Sequence, residues 1–267
     1  MILVGWMAAA LGVGDLASGG MSGVPGSRRR VATGVLAALL ALACGAMLFE
    51  LTAGEWARIA VLELCVAAPW LLLRVPASDP GSSRERSRHL GALAVLGLGA
   101  LVALAWPGTW AVPARPWVAV CLRDLPIASL LGAAPDRLLW GLGAVLVLLA
   151  TSNGIVRSML LVAGTPPPRG EGSFRGGRYI GAIERLMIFG LAVAGEPTAA
   201  ALVVSAKSIL RFPELTKSAQ QPSAPPQAGS APVQEVDALT EYFLLGSLCS
   251  WALALLAAPL VRASFVG

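Results

Sequence analysis

A few charged side chains stand where their surroundings are apolar, and these are the residues that could do chemistry. Glu63 lies inside the stretch Trp56–Leu73, roughly 12 Å from its start at 1.5 Å per residue. Glu184 and Arg185 interrupt a second apolar stretch, Tyr179–Ala194, and Lys207 a third, Pro197–Phe212. A carboxylate or an ammonium in hydrocarbon is costly unless it is neutralised or paired. Each therefore marks either a relay for protons or cations or a polar packing contact. For Glu63, Arg58, Arg123 and Arg137 are the candidate partners.

The second and third stretches are joined by Gly195-Glu196-Pro197. Proline suits the first turn of a helix, so the sequence predicts a helical hairpin over 179–212. A fold-back between Gly195 and Glu196 sets Glu184 opposite Lys207, an acid and a base at equal depth. Thr198, Ala201, Ser205 and Ser208 form a small, polar stripe suited to close helix contact. Lys207 and Arg211 occupy another face, one turn apart. Asn153, Arg157, Arg185, Glu214 and Glu241 belong to the same layer near one membrane face. Long basic side chains reach headgroups by snorkelling, which accounts for Arg157 and Arg211. It does not account for Glu184, whose side chain is short. The layer reads as structural salt bridging or as a ligand or ion site.

Other chemistry is excluded or unsupported. The single histidine, His89, falls in an Arg-rich loop, which argues against a His-based triad or metal site. Cys44, Cys65, Cys121 and Cys249 lie in apolar stretches without close spacing and read as small buried hydrophobes. Gly20-Met21-Ser22-Gly23 matches a GxSG pattern, but no span supplies a general base. Phosphate-binding and zinc-protease motifs are absent. No catalytic, metal or cofactor residue is predicted, and no cofactor.

The elements that must position these residues are membrane helices. The chain has 267 residues, 56% hydrophobic and 13% charged, about half the charge of a soluble domain. Its apolar runs approach the length of a bilayer crossing, which excludes a soluble enzyme, a disordered chain and a nucleic-acid binder. The predicted spans are Ile2–Ala17, Val31–Phe49, Trp56–Leu73, Leu90–Trp106, Leu138–Leu161, the two hairpin arms and Thr240–Val261. Trp117–Gly132, interrupted by Arg123, Asp124 and Pro126, reads as interfacial or re-entrant. The fold class is thus all-α, polytopic, with about eight spans. The regions are 1–132 (four spans and the interfacial piece), 133–217 (fifth span and polar hairpin), 218–234 (a linker too polar and Pro-rich to fold) and 235–267 (last span).

Orientation follows from the positive-inside rule. With the N-terminus outside, the cytoplasmic side holds Arg28, Arg29, Arg30, Arg74, Arg84, Arg86, Arg88, Arg157, Arg169, Arg175, Arg178, Arg211 and Lys217. The outer side holds Arg58, Arg115, Arg123, Arg137 and Arg262. Both termini are then outside, and Trp56, Trp106, Trp110, Trp117 and Trp140 form an outer belt. All basic residues except Lys207 and Lys217 are Arg, which with the abundant Ala and Gly suggests a bacterial inner-membrane protein.

The runs TSNGIVRSMLLVAG, GGRYIGAIERLMIFGLAVAGEPTAAALVVSAKSILRFPEL and TEYFLLGSLCSW resemble the C-terminal part of a family of uncharacterised bacterial integral membrane proteins that bear a domain-of-unknown-function label. The resemblance covers about residues 150–252. It rests on Asn153, Arg157, Gly177, Arg178, Gly181, Glu184, Arg185, Ala206, Lys207, Ser208, Arg211, Phe212, Glu214, Glu241, Tyr242, Phe243 and Gly246. It implies that the ER…AKS…EYF set is a unit, and it implies no activity.

These residues point first to a non-catalytic membrane component in the lipid bilayer, acting through a membrane or cytoplasmic protein partner. A small carrier or channel using Glu63 and the Glu184–Lys207 layer comes second. An enzyme on lipid-linked substrates comes last, for want of a nucleophile, base or metal.

Overall fold

The computed structural model describes residues 2–20, 27–76, 81–106, 115–124, 135–165, 177–206 and 232–263. Among them the regular elements are all helical. In chain order they are α1 (Ile2–Ala17), α2 (Arg28–Leu48), α3 (Ala53–Leu73), α4 (Ser83–Ala105) and α5 (Pro116–Arg123). Then come α6 (Pro135–Leu146), a π-helical turn (Val147–Thr151), α7 (Ser152–Ala163), α8 (Gly177–Ala194), α9 (Pro197–Ala206) and α10 (Pro232–Ala263). Five segments are long and apolar enough to cross a membrane: Arg28–Leu48, Ala53–Leu73, Ser83–Ala105, Leu139–Ala163 and Thr240–Arg262. The apolar helices Leu3–Ala17 and Pro197–Ala206 are shorter, and α8 carries Arg178, Glu184 and Arg185.

Capping chemistry sets several helix starts. Thr52 and Glu55 form a reciprocal capping box: Thr52 Oγ1 accepts from the Glu55 N–H, and Glu55 Oε2 accepts from the Thr52 N–H at 2.8 Å. Ser82 caps α4 by accepting from the Glu85 N–H, and the Glu85 carboxylate accepts from the Gly81 N–H at 2.7 Å. This cap draws Ser83–Arg88 into the helix, where hydropathy alone predicts a loop. His89 is accordingly a helical residue. Gly195, at φ +88°, closes α8 in the left-handed conformation that glycine tolerates best. The Glu196 N–H bonds back to the Leu191 carbonyl at 2.9 Å, as in a Schellman ending, and Pro197 opens α9. The expected hairpin turn is there, from Gly177, and 207–212 of its second arm lie outside the described residues. α10 begins at Pro232, so the last three positions of the expected 218–234 linker are helical, and its remainder lies outside the described residues. Of the expected interfacial piece, α5 occupies Pro116–Arg123.

α1 sits inside the bundle. It is apolar on nearly every side, and such a helix is stable when enclosed. It packs against α2, α3, α6 and the π turn. Small residues permit this: a Cβ on Gly5 would lie 2.8 Å from the Trp140 Cα, and one on Gly143 would collide with the Gly5 backbone. Gly5 meets Trp140 and Gly12 meets Leu146, so α1 and α6 run parallel. Glu184 meets Trp251 and Ala192 meets Arg262, so α8 and α10 run parallel as well. Gly246 lies against Val156 and Leu160, while Arg185 joins Ser250 to Leu148, so α10 runs against α7. These registers place the start of α1 and the end of α10 at the same end of the bundle.

The cysteines depart from expectation. Cys44, Cys65 and Cys121 are exposed and Cys249 half-buried. A helix facing lipid presents its apolar residues outward, so apolar surroundings in sequence do not imply an interior position.

Candidate functional site

Two buried polar clusters and one isolated carboxylate are candidates for function. The first cluster joins the C-terminal ends of α1 and α3. Asp15 is fully buried. Its Oδ2 accepts from Trp70 Nε1 at 2.8 Å, and its Oδ1 accepts from the Arg74 guanidinium at 2.7 Å. Arg74 also lies over the Trp70 ring, 4.4 Å from its centroid, in cation–π contact. Gly154 of α7 backs onto this guanidinium, and any Cβ there would collide with it. One turn further along α7, Ser158 Oγ is 3.0 Å from His89 Nδ1, and both side chains are buried. The chain thus ties α1, α3, α4 and α7 together at one end of the bundle.

The second cluster centres on Arg185 of α8, which is 3% exposed. Its Nε donates to the Leu148 carbonyl at 2.9 Å, one terminal nitrogen donates to Ser250 Oγ at 3.0 Å, and the other donates to Asn153 Oδ1. Asn153 Nδ2 in turn donates to the Leu149 carbonyl at 3.1 Å. The π turn makes this possible. Wider hydrogen-bond spacing at Val147–Thr151 interrupts the regular ladder, and there the Leu148 carbonyl meets the guanidinium. Beside it, Thr151 Oγ1 and Ser152 Oγ are buried without a hydrogen-bond partner among the described residues. On α8, Glu184 is buried and its Oε1 accepts from Trp251 Nε1 at 2.9 Å.

Of the layer expected from sequence, the structure gathers Asn153, Glu184 and Arg185. Arg157 and Glu241 are exposed. Lys207, Arg211 and Glu214 lie outside the described residues, so the expected Glu184–Lys207 pair does too. Trp251, which donates to Glu184, reads in the sequence only as part of an apolar span.

Glu63 is 3% exposed, on the buried face of α3 with Ile59, Ala67, Trp70 and Leu71. Its Oε1 has no hydrogen-bond partner among the described residues. Arg58, an expected partner, is exposed and donates to the Gly54 carbonyl. The Arg123 and Arg137 side chains lie outside the description. A cavity of about 140 Å³ opens toward the start of α3, lined by Leu3, Met7, Leu51, Glu55, Arg58, Ile59, Leu62 and Trp106. No group of three His, Cys, Asp or Glu residues that could hold a metal ion occurs among the described residues.

The first cluster is not visible in the sequence. Asp15 and Trp70 carry no signal of their own in the sequence, Arg74 reads there as one of the cytoplasmic charges and His89 as a loop residue. Parity could have found the ion pair: α1 and α3 run the same way, so their C-terminal residues share one end. No protein family, no curated protein and no solved structure matches the chain.

Proposed function

We propose that this chain is a non-catalytic component of a bacterial inner membrane, working through a membrane or cytoplasmic protein partner. The observation that carries this reading is the disposition of Arg185. Each of its three nitrogens donates to a group of the bundle itself: a carbonyl, a hydroxyl and an amide. An arginine that recognises a ligand holds its fork toward open space, whereas this one fastens α8 to α10 and to the π turn. The Asp15 carboxylate is likewise committed within the bundle, to Arg74 and Trp70. In this reading the chain crosses the membrane about eight times, with α1, α8 and the 197–212 arm completing the five longer spans. Both termini then face outward. The Asp15 end of the bundle, with Arg28–Arg30 and Arg84–Arg88, faces the cytoplasm, where a partner meets it.

A small carrier lined by Glu63 and the Glu184–Lys207 layer is the second reading, favoured by the unpartnered Glu63 Oε1. Purification in mild detergent with mass spectrometry, beside a flux assay in liposomes, separates the two. The expected result is a stable partner retained and no flux. Proton or solute movement by the purified chain alone, lost in Glu63→Gln or Glu184→Gln, overturns the component reading. Orientation is checked in intact cells with the native cysteines replaced. A cysteine at Arg86 should resist an impermeant reagent, and one at Trp110 should react.

A further inference from the structure

We propose that Glu63 is a proton-binding site served from one end of the bundle only, through the cavity beside Ile59 and Leu62. The site is defined by position. Its carboxyl is buried, its Oε1 lacks a partner among the described residues, and it lies on the face that α3 turns to its neighbours. Among the described residues, α3 packs chiefly against α1, α2 and α4. None offers a charged side chain at this level. Leu3–Val13, Val31–Phe49 and Leu90–Trp106 contain no Asp, Glu, Lys, Arg or His. The charged groups of these helices stand at the far end: Asp15 held by Arg74, Arg28–Arg30, and Glu85 with His89. Along α3 itself the nearest are Arg58, bonded to the Gly54 carbonyl, and Glu55, bonded to Thr52.

The ligand is a proton rather than a metal ion. Hard cations of the sodium, magnesium or calcium kind need several oxygen ligands, about six or more for calcium, and one carboxylate cannot replace that shell. A proton needs a single oxygen and removes the charge that apolar surroundings penalise. The cavity supplies the route. Ile59 and Leu62 line it, and Ile59 stands one turn from Glu63, about 6 Å along the axis. Its volume of about 140 Å³ has room for several waters, and Glu55 and Arg58 give it a polar lining. A hydronium there yields its proton to the carboxylate and remains as water. Toward the other end the route stops. The next buried residues on this face are Ala67 and then Trp70, whose N–H is committed to Asp15. The site therefore exchanges with the Trp106 end of the bundle and not with the Asp15 end. It senses acidity on one side of the membrane without conducting protons across.

Infrared spectroscopy of the full chain in liposomes tests this. The wild-type protein at neutral pH should show the carbonyl band of a protonated carboxyl. The band should vanish in Glu63→Gln and move, without vanishing, in Glu63→Asp. The aspartate variant identifies the band even if the glutamine variant does not fold. In heavy water the band should shift as the carboxyl exchanges, and Ile59→Trp, which fills the cavity, should slow that exchange severalfold while keeping the band. A spectrum with no protonated carboxyl band sensitive to position 63 overturns the site. An exchange rate unchanged by Ile59→Trp overturns the route. Dye-loaded liposomes that acidify through the chain in a Glu63-dependent way overturn the claim of one-sided access.

Discussion

The two polar clusters stabilise a buried charge by opposite means. At the Asp15 end, a fully buried carboxylate meets an opposite charge and an indole N–H. At the Arg185 end, the guanidinium's three hydrogen bonds run to neutral dipoles, one of them a carbonyl that the π turn presents. An ion pair loses its balance when either member is removed, and the member left behind is the costly one. A charge held by neutral groups behaves differently. Its removal leaves dipoles to satisfy, which cost less, and the neighbouring Glu184 keeps its bond from Trp251.

The largest effect should come from Arg74→Met. It leaves Asp15, 0% exposed, without its counter-charge, and breaking a buried pair from one side costs about 3–5 kcal/mol. Asp15→Asn should cost less, because Arg74 is 17% exposed and its head can move toward water. The double variant should recover much of the loss. Denaturant unfolding in detergent, run as a double-mutant cycle, measures all three. Equal costs for the two single changes would show that the pair is solvated.

Arg185→Met should rank next. It deprives the Asn153 amide oxygen, the Ser250 hydroxyl and the Leu148 carbonyl of a donor, at about 1–3 kcal/mol for buried polar groups left unsatisfied. Arg185→Lys should restore little, since a compact ammonium cannot reproduce the planar fork. If Arg185→Met proved as costly as Arg74→Met, the contrast between the clusters would fail, and Glu184, beside Arg185 in the chain, would be the counter-charge to examine.

Gly154→Ala tests how tightly the first cluster is enclosed. The new methyl would meet the Arg74 guanidinium, which Asp15 and Trp70 hold in place. Overpacking of this kind costs about 1–3 kcal/mol. The loss should largely disappear in an Arg74→Met background, where the obstructing group is gone. A Gly154→Ala penalty that persists there would point to the backbone instead.

The sequence made the membrane class, the Gly195–Pro197 turn and the nearness of Asn153, Glu184 and Arg185 legible, because these follow from apolar run length, turn chemistry and depth. It hid the first cluster because Asp15, Trp70 and Arg74 are each ordinary at the end of a membrane helix. Only the packing of α1 against α3 makes them one site. The π turn was illegible for another reason: VLLAT carries no residue that demands wider hydrogen-bond spacing. The start of α4 is illegible because hydropathy cannot see that Ser82 and Glu85 cap a helix whose first turns are polar.

The smallest expected effect, Trp251→Phe, bears on the neighbour of the second cluster. Glu184 Oε1 accepts the Trp251 indole N–H at 2.9 Å, and the substitution removes that donor while keeping an aromatic ring. A hydrogen bond to a carboxylate contributes about 1.5–3 kcal/mol. Trp251 is only partly buried, so water or a headgroup can replace part of it, and the cost should fall to about 1 kcal/mol. Repeating the substitution in a Lys207→Met background decides where Glu184 takes its support. If Lys207 reaches Glu184 across the hairpin, losing both donors should cost more than the two separate losses combined. Additive losses would mean that Lys207 stands elsewhere, leaving Trp251 and the bundle to hold the carboxylate.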